Sequence, residues 1–337
     1  MISAVAAKGP GKGWRRACCV VAVLVATSAS AEPVSVVSRP FSQFRVGSDE
    51  TRFGKLEFLG GLVLSSEASL FGSLSSIRFR EDGAHFIAVL DTGHWLTGRV
   101  LRGPEGRLAG LADVEIVSMK DYRGRGDSQK YNMDSEGLAF RGDHYLVSFE
   151  RKHRVDVYPA DRLATAGPIG SLPILIPKSE LRGNGGLETI VTAPAGSPLN
   201  GAAVVIAERS LDRNGNLYAA VLDGPRQGLF AVRVSDGFAV SDGAFLPSGD
   251  LLLLERRFSV ASGVSFRILR FDGGAIRKGA VVDGEILLEA DMADQIDNMD
   301  GIDVVRDQEG HLRIVLVSDD NHSIFQRNLM LEFRLVE

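Results

Sequence analysis

Five times along this 337-residue chain an apolar run ends on an acidic residue, and in three of them arginine comes next. The runs are Ala88 to Asp91, Leu146 to Glu150 (then Arg151), Val204 to Glu208 (then Arg209), Leu251 to Glu255 (then Arg256) and Val315 to Asp319. From Asp91 onward the acids are 59, 58, 47 and 64 residues apart. A period of that length made of short strands predicts a repeat architecture, and for β-units it predicts propeller blades. A propeller brings the same point of every blade to one end of a central channel. Acids distant in sequence then meet in space.

The rest of the chain reads the same way. Runs of four to seven Val, Ile, Leu and Phe residues are bounded by Gly, Asp, Asn or Pro, and no long amphipathic helix pattern interrupts them. The clearest unit opens at Ser135–Phe140, turns at Arg141–Asp143, returns along His144–Phe149 and continues through Arg154–Tyr158. Similar openings recur at Ser76, Gly186, Asp242 and Met299. In an antiparallel hairpin the start of one strand lies beside the end of the next. Glu136 is therefore expected beside Glu150 and Arg151, Glu188 beside Glu208 and Arg209, and Asp300 beside Asp319 and Asp320. Asp91 and Glu255 take the matching positions in two more blades. The reading is an all-β single propeller, with six blades expected inside a range of five to seven. The sixth is closed by residues 33 to 70 together with Leu329 to Val336.

Residues 1–31 read as a signal peptide, and 32–337 as the propeller domain. Lys8, Lys12, Arg15 and Arg16 precede an apolar stretch from Ala17 to Thr27, and Ala29-Ser30-Ala31 is a small-x-small cleavage site. That stretch is shorter than the roughly 20 residues a membrane span needs. The expectation is a periplasmic or secreted protein exported by the general route, with Arg15-Arg16 raising twin-arginine export as the alternative. Cys18 and Cys19 leave with the signal, so disulfide, thiol-nucleophile and Cys-ligated-metal chemistry are excluded. Removing four positive charges takes the formal charge from −5 to −9. That balance argues against nucleic acid and anionic lipid as partners and favours cations. A monomer acting on a small anionic or ester substrate, with no membrane span in the mature chain, is the expectation.

Asp134–Ala139, Ser148–Arg154, Gly186–Glu188, Leu253–Arg257, Asn298–Asp303 and Ser318–Asn321 together resemble the phytase-like domain family. The resemblance runs from about Phe53 to Glu337. It implies a β-propeller, export, and hydrolysis of phosphoester or carboxyl-ester bonds. The Asp-Ala-Ala-Asp-Asp-Pro-Ala-like segment of true β-propeller phytases is missing here, as is their basic strip, so phytate is not the expected substrate.

Crowded carboxylates repel, and a hard divalent cation relieves that repulsion by taking oxygen ligands. Glu136, Glu188, Asp300, Asp319 and Asp91 are the candidate ligands, with Ca²⁺ the expected ion. Glu150, Glu208 and Glu255 are either ligands or partners of arginine in salt bridges that lock neighbouring blades. Arg151, Arg209 and Arg256 are candidates for gripping an anionic group, because guanidinium matches carboxylate and phosphate geometry. His94, His153 and His322 follow strand-end acids and are the candidate general acids or bases, against the plainer reading of solvated loop histidines. Two rivals stay open: a lactonase of the gluconolactonase type, and a non-catalytic binding or scaffold propeller.

Overall fold

The computed structural model describes residues 32–126 and 130–336. The expected signal peptide lies outside the described residues. Five sheets, antiparallel except where Val281–Val282 adds parallel to Gly228–Val232 at the edge of the third, form five blades with no α-helix among the described residues. Their inner strands are Leu74–Phe79, Ser135–Arg141, Leu187–Thr192, Ala239–Phe245 and Met299–Arg306. Each inner strand packs on the next around the ring, and Met299–Arg306 returns to Leu74–Phe79, so the ring closes.

Five blades falls within the expected range of five to seven and is one fewer than the six favoured, and the reason lies in how the ring closes. Leu56–Ser65 pairs with Asn328–Leu335, and Val37–Phe41 adds outside it. The segments expected to make a separate blade thus complete the fifth, in the order Val37–Phe41, Leu56–Ser65, Asn328–Leu335, Leu312–Ser318, Met299–Arg306. Strands from near both ends of the described chain thus pair in one sheet and close the ring, while Glu32–Pro33 pairs with Leu108–Ser118 at the outer edge of the first blade.

Burial follows the ring. Five apolar clusters fill the spaces between neighbouring blades, for example Leu252, Phe266, Ile302 and Ile314 between the fourth and fifth. Between the first and second lie Val89, Trp95, Val147 and Tyr158. Trp95, a candidate ligand wall from sequence, is fully buried there, with its ring edge-on to Tyr158 at 5.3 Å. Strand faces that are apolar on both sides follow from being sandwiched between blades.

The channel is crossed by a buried ion pair. Arg78, on the first inner strand, reaches across it to Asp242 on the fourth, with Nη1–Oδ2 and Nη2–Oδ1 both 3.0 Å. The same guanidinium donates to the carbonyls of Ile302 (2.7 Å) and Gly243 (2.8 Å). Asp242 also accepts from Ser76 Oγ at 2.8 Å and from Ile302 N at 3.1 Å. Three blades are pinned by one buried ion pair, and it forms the channel floor. Gly137 shows how closely the strands approach: a Cβ there would lie 2.4 Å from the Glu188 carbonyl oxygen.

Removing one partner of a buried, hydrogen-bonded pair leaves the other charge unpaired, at a cost of about 3–5 kcal/mol. Arg78→Met is expected to lose about that much in urea denaturation, and Arg78→Met with Asp242→Leu to recover most of it. A single variant as stable as the parent would show that the pin contributes nothing.

Candidate functional site

Each inner strand carries a β-bulge at the same place. The ladder shifts between Leu74 and Ser76, opposite Ser148 in the second blade, between Leu187 and Thr189, between Val240 and Asp242, and between Met299 and Gly301. The residues at or beside these shifts are Ser75, Glu136, Glu188, Ser241 and Asp300. A bulge re-aims a side chain, and Glu136, Glu188 and Asp300 are thereby aimed into one end of the channel, above the Arg78 floor.

The second strands end at the same level. Asp91 N, Glu150 N, Glu208 N and Asp319 N donate to the carbonyls of Ser73, Asp134, Gly186 and Asn298 at 2.9–3.1 Å. In the fourth blade the residue in this frame is Arg256, which pairs with Ala239. Glu255 is one residue out of phase and faces away from the cup. This corrects its expected matching position. Its carboxylate accepts from Arg267 Nε at 2.7 Å, and Arg267 lies over the Phe238 ring. Glu255 is thus in a salt bridge, but with Arg267 on the adjacent strand of its own blade rather than one that locks neighbouring blades.

The result is a cup of 230 Å³ whose lining includes eight carboxylates and three arginines. Glu136, Glu188, Asp300, Asp319, Asp91, Glu150 and Glu208 are all brought together there. The eighth acid is Asp134, which sequence reasoning missed. Strand alternation was the available signal, since Asp134 and Glu136 are two residues apart and share a face. Asn184, Asn321 and Ser75 complete the polar lining.

The three histidines do not line the cup. His94 opens a third strand, with Thr92 Oγ1 3.0 Å from its Nδ1. His322 sits at φ 49° in an exposed turn. His153 is buried behind the wall, where burial lowers its pKa, and its ring fills the space a Cβ at Gly186 would need. That contact has a purpose, because Gly186 N donates to Glu150 Oε1 at 2.7 Å and Gly185 N donates to the same oxygen.

The arginines are unequal. Arg256 bridges three blades, with Nε 3.0 Å from Asp300, Nη2 3.8 Å from Glu208 and Nη1 2.6 Å from Asn298 Oδ1. Arg151 pairs with Asp134, and Arg209 sits 3.3 Å from Glu208 with over half its side chain in solvent.

Two carboxylate groups share Glu150. One is Asp134, Glu136 and Glu150, the other Glu150, Glu188 and Glu208, and within each the nearest oxygens lie within 4.8 Å of one another. Ca²⁺–oxygen distances of about 2.3–2.6 Å put opposite ligands roughly 5 Å apart, so either group fits a divalent cation. Glu188 is 8% exposed, and its carboxylate makes no hydrogen bond or ion pair among the described residues. Asp300, Asp319 and Asp91 belong to neither group and lie on the Arg256 side.

Burial, reinforced by neighbouring carboxylates, raises Glu136 and Glu188 well above the usual range. Burial lifts Asp300 to about 8 against the pull of Arg256. Asp319 rises to about 6, again mainly through burial, held back by its bond from Asn321 N. Glu150 is also raised by burial, although two backbone N–H groups oppose it.

Residues 69–322 match the family described as phytase-like, with esterase-like activity of phytase, and the chain belongs to that family. No curated protein matches it. Among solved structures it is similar to a glutaminyl cyclase of Myxococcus xanthus, at 12% identity, 91% of this chain and 100% of that one, and TM-score 0.44. A candidate gluconolactonase aligns at 12% identity, 88% and 96% coverage and TM-score 0.37. The Swd1 β-propeller domain of Myceliophteria thermophila aligns at 11% identity, 75% and 67% coverage and TM-score 0.34. Among the described residues no helix is long and apolar enough to cross a membrane.

Carboxylates whose folded pKa exceeds the unfolded value bind extra protons in the native state, so stability falls as pH rises between the two values. For Asp300 that window runs from 3.8 to about 8. The chelated protein is expected to melt at progressively lower temperature from pH 5 to pH 8. Added Ca²⁺ should restore more at pH 8 than at pH 5. A chelated protein whose melting temperature rises across that interval would contradict the crowding account.

Proposed function

We propose that this member of the phytase-like family is an exported hydrolase of phosphoester or carboxyl-ester bonds, assisted by a divalent cation in the acid cup. The observation that carries the reading is Glu188, buried, unpaired and aimed into the cup between Glu150 and Glu208. Glu150, Glu188 and Glu208, or Glu150 with Asp134 and Glu136, would hold the ion. A cation there supplies charge to polarise the ester oxygen and to acidify a bound water.

The chain's own residues divide the remaining work. Arg256, fixed by Asp300 and Asn298, presents a guanidinium to the cup and orients an anionic or carbonyl oxygen. Burial raises both Asp300 and Asp319, whereas Asn321 N, donating to Asp319 Oδ1 at 2.7 Å, favours the carboxylate at Asp319. That difference assigns acid and base roles. Asp319 accepts the proton of water, and Asp300 gives one to the leaving alcohol. Water adds across the C–O or P–O bond, and acid and alcohol leave. Lactones are cyclic esters and fall within the same chemistry.

The test is a screen of phosphomonoesters, carboxyl esters and lactones against the chelated and the Ca²⁺-loaded protein. Hydrolysis that disappears on chelation and returns with the ion is expected. Glu150→Gln, which weakens both carboxylate groups at once, is expected to lower kcat/KM by about 100-fold and to raise the Ca²⁺ concentration needed for half activity. Full activity after exhaustive chelation would remove the cation from the account.

A further inference from the structure

The cup is lopsided. Both carboxylate groups come from the second and third blades, whereas the fourth lines the cup with Arg256 alone. Ser241, at the fourth blade's bulge, donates to the carbonyls of Leu254 or Met299 and carries no charge. On this poorer side the surface above the cup turns apolar. The strand Leu251–Ser259 runs on past Arg256, and alternation places Phe258 on the same face, one step further from the channel. Phe258 is 74% exposed, and Val260, in the turn that follows, is 97% exposed.

The neighbouring fifth blade does the same. Asp319 and Asn321 line the cup, and three residues beyond Asn321 the loop presents Ile324 and Phe325, 93% and 89% exposed. Both loops are stiffened by serine. Ser259 Oγ accepts from Ala261 N at 3.1 Å, and Ser323 Oγ accepts from Phe325 N at 3.3 Å. A contiguous exposed apolar surface marks a binding site, and these four residues lie at or just beyond the ends of the second strands of adjacent blades, at the cup's end of the channel. The strand that carries Arg256 continues directly into this group.

We propose that the natural substrate is an ester with an apolar chain, which lies over Phe258 and Val260 on one blade and Ile324 and Phe325 on the next. The ester group enters the cup beside Arg256. The inference rests on the hydrolase reading above and adds the substrate class. Chemistry sits on the acid-rich side of the cup and chain recognition on the Arg256 side.

The experiment measures p-nitrophenyl acetate, butyrate and octanoate with the Ca²⁺-loaded protein, taking kcat/KM below each ester's aggregation concentration and extending the octanoate series above it. The parent is compared with Phe258→Ser, Phe325→Ser and the double variant. All four side chains are exposed, and equal melting temperatures confirm that folding is intact. The expected result is a kcat/KM about tenfold or more higher for octanoate than acetate in the parent, shrinking to under about threefold in the double variant. An octanoate-to-acetate ratio near one in the parent, or one unchanged by the substitutions, overturns the inference and leaves the hydrolase reading standing. A rise that begins only above the aggregation concentration assigns the apolar loops to a lipid surface and also overturns it. Hydrolysis of none of the three esters, together with inactivity on phosphoesters, removes both readings.

Discussion

The Arg78–Asp242 pair holds the centre of this molecule. Five inner strands converge on a channel whose middle is polar, because backbone carbonyls of several blades point into it. One guanidinium satisfies those carbonyls and neutralises one carboxylate. Everything above that floor inherits its geometry. The bulges lie at one end of the channel beyond it, where Ser75, Glu136, Glu188 and Asp300 line the cup and Ser241 bonds to backbone carbonyls instead.

That constraint explains why the cup is electrostatically frustrated. Eight carboxylates and three arginines share 230 Å³. Arg256 and Arg151 relieve Asp300 and Asp134, and Arg209 leans toward Glu208 from solvent. Glu136 and Glu188 are left with burial and like charges, and their pKa values rise accordingly. Burying such groups costs stability, and the two carboxylate groups have the spacing of a divalent-cation site, which is why the proposed function places an ion there.

Much of this was legible in the sequence because it followed from periodicity. Apolar runs ending in acids located the second strands, and hairpin geometry placed Glu136 beside Glu150 and Glu188 beside Glu208. The misplacement of Glu255 has a specific cause. Leu251 to Arg256 reads like Val204 to Arg209, yet the first run enters its ladder one residue out of phase, so Arg256 rather than the acid reaches the cup. A frame of that kind depends on where the bulge falls, which the residue pattern does not encode. The blade count went the same way: strands at both ends of the chain looked sufficient for a sixth blade, whereas their pairing partners were each other. Of the histidines near strand-end acids, His94 opens a third strand, His322 sits in a turn and His153 lies behind the wall, because proximity in sequence carries no direction.

The most direct measurement is an anomalous difference map from crystals of the mature protein grown with Mn²⁺, a divalent ion that also favours oxygen ligands. The account predicts a peak inside the cup, coordinated by Glu150 and by Glu188 with Glu208 or by Asp134 with Glu136. A cup without a peak, in crystals that do bind Mn²⁺ at the exposed Asp307, Glu309 and His311 group on another surface, would contradict it.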